Sequence, residues 1–177
     1  LDTIAVSAED VIYVSGYDLV YPGGPTLAAW ITDLPDGARV LFDPGPLLGE
    51  IPGELLSAVG KRCDVLTLNE LETARLGGPT AARALTGPGA IILFRDGPRG
   101  CLVDAPPLAT HVAAPTVRAI DSTGAGDAHT GVLAAALLDG RPILEAVLRA
   151  NTAAALTVTK AGPATSPTRA ELEAALS

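Results

Sequence analysis

Short apolar runs alternate with longer amphipathic or alanine-rich segments along most of this chain. The apolar runs are bounded by Gly, Pro, Asp or Ser and are the length of strands, whereas the longer segments have the spacing of helices. Strands are predicted at Val11–Ser15, Arg39–Asp43, Asp64–Leu68, Ala90–Phe94, Cys101–Val103 and Leu108–Ala113. Helices are predicted at Thr26–Leu34, Gly53–Val59, Glu70–Leu76, Ala81–Leu85, Gly126–Leu138, Ile143–Lys160 and Arg169–Leu176.

The alternation of strands and helices predicts an α/β fold, namely a three-layer α/β/α sandwich with a mostly parallel sheet. A chain of 177 residues is long enough for one domain with a sizeable core. Because neither an internal repeat nor a low-complexity linker interrupts the pattern, residues 1–177 are expected to form a single domain. Ligands of such sheets bind beyond the carboxyl ends of the strands.

Charge and composition narrow the partners that we expect. The chain has 12 Lys and Arg against 20 Asp and Glu, a formal net charge of −8, which disfavours nucleic acid as a partner. No apolar stretch reaches the length of a membrane span and no signal peptide is visible, so no membrane partner and a cytoplasmic location are expected. Cys63 and Cys101 have no metal-ligand spacing and are predicted to be buried free thiols.

A glycine-rich turn carries the strongest chemical signal. Residues 121–127 read Asp-Ser-Thr-Gly-Ala-Gly-Asp and lead directly into an alanine- and leucine-rich helix. The first N–H groups of a helix lack internal partners and carry the positive end of its dipole, so they can hold an anion, and glycines allow close approach. Asp127 would stand beside that anion and could receive a proton from an attacking hydroxyl. Together these features suggest phosphoryl transfer to an alcohol.

This turn and the pair Asn69 and Glu72 also have purely structural or other nucleotide-binding interpretations. Ser122 or Thr123 could simply cap a helix. A dinucleotide-binding fingerprint would need a third glycine where the chain has His129, and a P-loop would need a lysine after the glycines. Likewise Asn69 and Glu72, three residues apart on a predicted helix, form a capping arrangement when taken alone.

The heptapeptide at 121–127 resembles the signature of the ribokinase-like (PfkB) sugar and nucleoside kinases. The resemblance implies that Gly124, Ala125 and Gly126 form an anion hole, that Asp127 is the catalytic base, and that Thr123 helps to bind the cofactor. Asn69 and Glu72 look like the family's Asn-x-x-Glu element, which implies an indirect, water-mediated role towards magnesium.

Two later segments add to the resemblance. Gly97 and Gly100 are similar to a Gly-x-x-Gly turn that lines the nucleotide site, although Arg95-Asp96 replaces the small hydroxyl residue usual before it. Asn151 lies in what looks like the family's late helix, which borders the adenine. The family usually has an aromatic residue where this chain has His129, and a packing role is favoured there over a substrate contact. Asp43-Pro44-Gly45 resembles an Asp-Pro-Asn loop with Gly45 in place of Asn.

The resemblance covers nearly the whole chain but only the C-terminal portion of the family, without the N-terminal part and the lid. It implies a sugar kinase that uses ATP and Mg2+ on an alcohol group of a small molecule. Two alternatives stay open. One is a non-catalytic or truncated nucleotide-binding relative with a regulatory role, and the other is an unrelated α/β protein with a capped helix. Whether the substrate is a sugar, sugar acid, sugar phosphate or nucleoside stays open, as does a homodimeric state.

Overall fold

Parallel strands dominate the first half of the chain. The computed structural model describes residues 4–177 and contains β1 (Val11–Ser15), β2 (Arg39–Asp43), β3 (Val65–Asn69) and β4 (Ile91–Arg95), each paired in parallel with the next. With β5 (Cys101–Ala105) and β6 (Leu108–Val112) they form a six-stranded sheet in chain order. The predicted α/β fold with a mostly parallel sheet is therefore confirmed.

Helices follow most strands and occupy the end of the chain. None of those in the described part of the chain is both long and apolar enough to cross a bilayer. They are α1 (Gly16–Val20), α2 (Gly24–Thr32), α3 (Gly53–Arg62), α4 (Glu70–Leu76), α5 (Pro79–Leu85), α6 (Ala125–Leu138), α7 (Ile143–Thr157) and α8 (Arg169–Leu176).

Contacts divide the chain into two compact units. The first contains residues 4–95 and 103–110, and the second contains residues 96–102 and 111–177. The expectation of a single domain over residues 1–177 stays a prediction.

The core of the first unit lies against the parallel strands. Residues 40–43 of β2 and 65–68 of β3 are buried without interruption, which requires both faces of the sheet to be covered, as in a three-layer sandwich. On α3 the buried residues Leu55 and Val59 stand one turn apart and join this core. Its largest fully buried side chains include Val14, Ile31, Val40, Phe42, Val59, Leu66, Leu68 and Ile92.

The second unit is built on two long helices. α6 packs against α7, and α8 packs against α7 in turn. Small buried residues on α7, Ala146, Ala150 and Ala153, recur at helical spacing and form one face, which lets the helices approach closely. A capping box between Thr168 and Glu171 starts α8.

The end of α7 differs from the prediction. The helix was expected to run to Lys160, but it ends at Thr157. Beyond that residue the hydrogen bonds tighten to a three-residue spacing, from Thr159 N to Leu156 O and from Lys160 N to Thr157 O. The short helix α1 and a 3-10 helix at Gly45–Glu50 were not predicted either, because each is too short to produce a periodic pattern.

Both cysteines are buried free thiols, as predicted. Burial raises the pKa of the Cys63 thiol to about 12, so this group stays protonated and unreactive at neutral pH. Cys101 lies at the start of β5 and is also fully buried.

Candidate active site

The turn before α6 leaves the start of this helix without a side-chain cap. Gly124 is the N-cap residue, in a left-handed conformation with φ +80°, and it supplies no side-chain cap hydrogen bond to the helix. The first helical hydrogen bond runs from Ala128 N to Gly124 O. The Ala125 amide is used inside the turn, where it donates to Ser122 O at 3.2 Å, so the Gly126 and Asp127 amides are the ones that lack a helical partner at the positive end of this 14-residue helix, where an anion is favoured.

Asp127 lies in the first turn of α6 and is exposed. Of the other predicted residues, Thr123 and Gly126 are exposed and Ala125 is half-buried. The structure thus brings all five predicted residues from Thr123 to Asp127 onto one turn.

Asp121 ties this turn to the loop that follows α7. Its Oδ1 accepts a hydrogen bond from Thr123 N at 2.9 Å, and its Oδ2 accepts one from Gly162 N at 3.0 Å. These two bonds lower the pKa of Asp121, and the bond from Thr123 N has the larger effect. The same loop reaches Gly124, where an added Cβ would lie 2.4 Å from the carbonyl oxygen of Pro163. Sequence reasoning included Asp121 in the motif but gave it no role.

Asn151 is buried between His129 and the end of β6. Its Nδ2 donates to Val112 O at 2.8 Å, and its Oδ1 lies 3.2 Å from Nε2 of His129, which is also buried. Because the amide oxygen can only accept, the histidine proton of this bond is on Nε2. The contact between His129 and Asn151 was not predicted. A direct nucleotide contact by Asn151 stays a prediction, because both ends of its amide are engaged within the protein.

The Gly97–Gly100 turn has a backbone that requires glycine. It follows β4 as a 3-10 helix over Gly97–Arg99, and Gly100 has φ +107°. A Cβ on Gly100 would lie 2.2 Å from Val112 O, the same carbonyl that Asn151 binds. Gly100 and Asn151, which were predicted separately to bind the nucleotide, therefore both lie next to the carbonyl group of Val112. On the turn, Asp96 and Arg99 form the exposed ion pair that the sequence suggested.

In the first unit, Asn69 and Glu72 form a capping box at the start of α4. Asn69 Oδ1 accepts from Glu72 N at 2.9 Å, and Glu72 Oε2 accepts from Asn69 N at 2.7 Å. A further bond of 2.7 Å joins Asn69 Nδ2 to Glu72 Oε1. The pair therefore forms the capping arrangement that its spacing predicts. Each of these side-chain oxygens can accept more than one hydrogen bond, so the capping box does not exclude a further role in binding a metal or its waters.

Arg95, at the end of β4, joins this pair to the end of β2. Its Nη2 lies 3.2 Å from Asp43 Oδ2 and 3.3 Å from Glu72 Oε2. Burial raises the pKa of Glu72, and this effect outweighs the opposing influence of the Asn69 amide and of Arg95. Asp43 also accepts a bond from Gly45 N at 3.1 Å. Sequence reasoning matched Asp43 to an Asp-Pro-Asn loop and noted Arg95 as a departure from the family, but did not predict that they meet.

The oxygens of Asn69 and Glu72 are of the kind that magnesium prefers. Mg2+ prefers oxygen ligands and keeps several of its waters. Both Glu72 oxygens and Asn69 Oδ1 already accept protein hydrogen bonds, and Arg95 stands at Glu72 Oε2, so the metal is expected to contact these residues through its waters. Among residues 4–177 no group of three or more His, Cys, Asp or Glu side chains is arranged to hold a metal. The indirect role of Asn69 and Glu72 towards magnesium stays a prediction.

Comparison with known proteins identifies the family. The family model described as pfkB family carbohydrate kinase matches residues 2–170, so the chain belongs to this family. It is 30% identical over 181 residues to an uncharacterized sugar kinase, YegV, of Escherichia coli, covering 97% of this chain and 56% of that protein. It is 33% identical over 159 residues to a ribokinase of Haemophilus influenzae, covering 84% of this chain and 50% of that protein. The chain spans about half the length of these curated relatives.

Solved structures confirm the ribokinase-like fold. A ribokinase from Thermotoga maritima superposes with a TM-score of 0.78 at 28% identity, covering 94% of this chain and 56% of the other. A fructokinase from Vibrio cholerae, bound to fructose, ADP and calcium ion, gives 0.79 at 28% identity, with coverages of 94% and 60%. At 23% identity, the aminoimidazole riboside kinase from Salmonella enterica shows the fold alone, with a TM-score of 0.82 and coverages of 94% and 62%.

Proposed function

We propose that this protein is an ATP-dependent phosphotransferase that acts on an alcohol group of a sugar or related small molecule. The observation that carries the proposal is the uncapped N-terminus of α6, with Asp127 in its first turn. An anion site and a carboxylate on adjacent residues are what a kinase needs to hold a transferring phosphoryl group beside the proton acceptor of its attacking hydroxyl.

Each residue of the turn has a distinct task. The amides at Gly124–Gly126 stabilise negative charge on the transferring group, and glycine lets that group approach the backbone. Asp127 orients the substrate hydroxyl and accepts its proton. A carboxylate is sufficient for this task, because the loose transition state of phosphoryl transfer depends mainly on positioning and charge stabilisation.

Asp121 supports this chemistry by holding the turn in place, and the family resemblance implies which residues hold the metal and the nucleotide. Asp121 fixes the turn against the loop at Gly162, so the amides are set before the substrate arrives. Asn69 and Glu72 would hold Mg2+ through its waters. When bound, Mg2+ neutralises charge on the nucleotide phosphates. Gly97, Gly100 and Asn151 would line the rest of the nucleotide site, as the family resemblance implies.

The proposed use of ATP implies a cell compartment for the reaction, and the family resemblance implies the domain organisation. We place the reaction in the cytoplasm, where ATP is available, and treat residues 1–177 as one nucleotide-binding domain that corresponds to the C-terminal portion of the family. The Vibrio cholerae fructokinase, which is bound to fructose, ADP and calcium ion, supports the same kinds of ligand for this chain.

The proposal is tested by a titration and a screen on the protein in its natural full length. Calorimetry with ATP, with and without Mg2+, should show saturable binding that depends on the metal. ADP release is then measured against ribose, fructose, sugar acids, sugar phosphates and nucleosides, and one class should support turnover. Binding of ATP without ADP release from any alcohol would contradict the kinase proposal and leave a non-catalytic nucleotide-binding protein. No binding by the folded protein would contradict the nucleotide site itself.

A further inference from the structure

Arg95 occupies the space between two buried carboxylates. The side chains of Arg95, Asp43 and Glu72 are 13%, 11% and 5% exposed, and one guanidinium nitrogen bridges the two acids at 3.2 and 3.3 Å. Two carboxylates so close to one cation form the arrangement that also binds a divalent metal ion in proteins. The guanidinium therefore stands where such an ion would stand.

Strand order explains how the three side chains meet. Asp43 ends β2 and Arg95 ends β4, and both strands are parallel to β3 between them. Glu72 lies on α4, which begins directly after β3, and its capping bonds fix its carboxylate in place. Because the acids are held by separate elements, removal of the cation would leave them facing each other.

We propose that Arg95 is a resident counter-ion that excludes direct divalent-cation binding between Asp43 and Glu72. Arg95 thereby keeps the Asn69–Glu72 element in a state that contacts a metal only through water. The consequence for catalysis rests on the proposed kinase function: free divalent ions cannot lodge at this point, so the metal must arrive with the nucleotide. Arg95 acts through the carboxylates and is a positioning residue.

The geometry predicts what happens when the guanidinium is removed. In Arg95→Met the two acids lose their cation, so like charges repel in a buried site and the fold is destabilised. A divalent ion with oxygen distances near 2.1 Å could then replace the guanidinium after the carboxylates close by about 1 Å. An ion that binds only the folded state raises its stability in proportion to the logarithm of its concentration. A purely structural role for Arg95 predicts destabilisation without such a rescue.

The test is thermal unfolding of the full-length protein with and without Mn2+, in the absence of nucleotide. At Mn2+ well above its dissociation constant, the midpoint for Arg95→Met should rise by about 4 °C or more. Wild type and Arg95→Lys, which keeps a cation at this place, should not respond. The matched control is Arg83→Met, since Arg83 pairs with a single half-buried carboxylate on Asp104 and its loss should create no metal site.

A second variant locates the ion. Arg95→Met combined with Glu72→Gln should lose the Mn2+ response. The proposal is overturned if Arg95→Met shows no rescue, if wild type responds as strongly as the variant, or if the double variant keeps the response. The Mn2+ experiment contains neither nucleotide nor alcohol, so a negative result would not affect the kinase proposal. Conversely, a negative ATP titration would not affect the conclusion about Arg95.

Discussion

Replacement of Gly124 by alanine should distort the turn that we assign to phosphate binding. Gly124 has φ +80°, a conformation that costs an L-residue about 1–2 kcal/mol. The new Cβ would also lie 2.4 Å from Pro163 O, and this neighbour is backbone, which cannot swing aside as a flexible side chain can. Relief of such overpacking typically costs about 1–3 kcal/mol.

The expected change in the free energy of unfolding combines these two costs with one gain. Alanine lowers the conformational entropy of the unfolded chain, which stabilises the folded state by about 0.4–1 kcal/mol. Gly124→Ala should therefore destabilise the protein by about 2 kcal/mol or more, which corresponds to a fall of about 4–8 °C in Tm for a chain of this size. The control is Gly131→Ala in the middle of α6, where an added Cβ meets nothing within 4 Å. That change should raise stability by about 0.5–1 kcal/mol.

Thermal and urea unfolding, followed by circular dichroism, measure the difference between these two variants. Calorimetric titration with ATP and Mg2+ then tests the site, and Gly124→Ala should bind ATP more weakly than Gly131→Ala. If Gly124→Ala is as stable as Gly131→Ala, the close approach between the turn and the 161–163 loop is not present in solution. If it is destabilised but binds ATP normally, the turn is structural and does not hold the phosphates.

Two further predictions concern the second unit. Asn151→Ala removes the partner of Val112 O and of His129 Nε2, so urea denaturation should show a loss of about 1–3 kcal/mol, and an unchanged midpoint would mean that these bonds do not form. Bonds from Thr168 lower the pKa of Glu171 from 4.5 to about 2, so the folded state binds this proton less tightly than the unfolded state. Its contribution to stability is thus complete above pH 4.5 and is lost as the pH falls towards 2. The stability difference between wild type and Glu171→Gln should shrink over that range, and a constant difference would contradict the assignment.

Features set by neighbouring residues were predictable from sequence. The capping box at Asn69 and Glu72 follows from a spacing of three residues, and the position of Asp127 in the first turn of α6 follows from the glycine-rich turn before it. The parallel sheet was predicted from the alternation of strands and helices. Each of these depends on local hydrogen bonds or on the periodicity of apolar residues.

Contacts that depend on tertiary register were not predicted. Arg95 meets Asp43 only because β2, β3 and β4 pair in order, and the sequence gives no spacing rule for side chains on separate strands. His129 and Asn151 meet because of the way α6 packs on α7, which the low amphipathic contrast of an alanine-rich helix does not specify. The end of α7 was misplaced because its last turn changes hydrogen-bond spacing without a breaking residue.

The catalytic role of Asp127 is the centre of this account, and one comparison of variants tests it most directly. Phosphorylated product formed from the best alcohol is measured for wild type, Asp127→Asn and Asp139→Asn, with ATP affinity determined for each. Asp139 is an exposed aspartate at the other end of the same helix. The account predicts that Asp127→Asn nearly abolishes turnover while it binds ATP about as well as wild type, and that Asp139→Asn turns over normally. Turnover by Asp127→Asn at the wild-type rate would contradict the central claim.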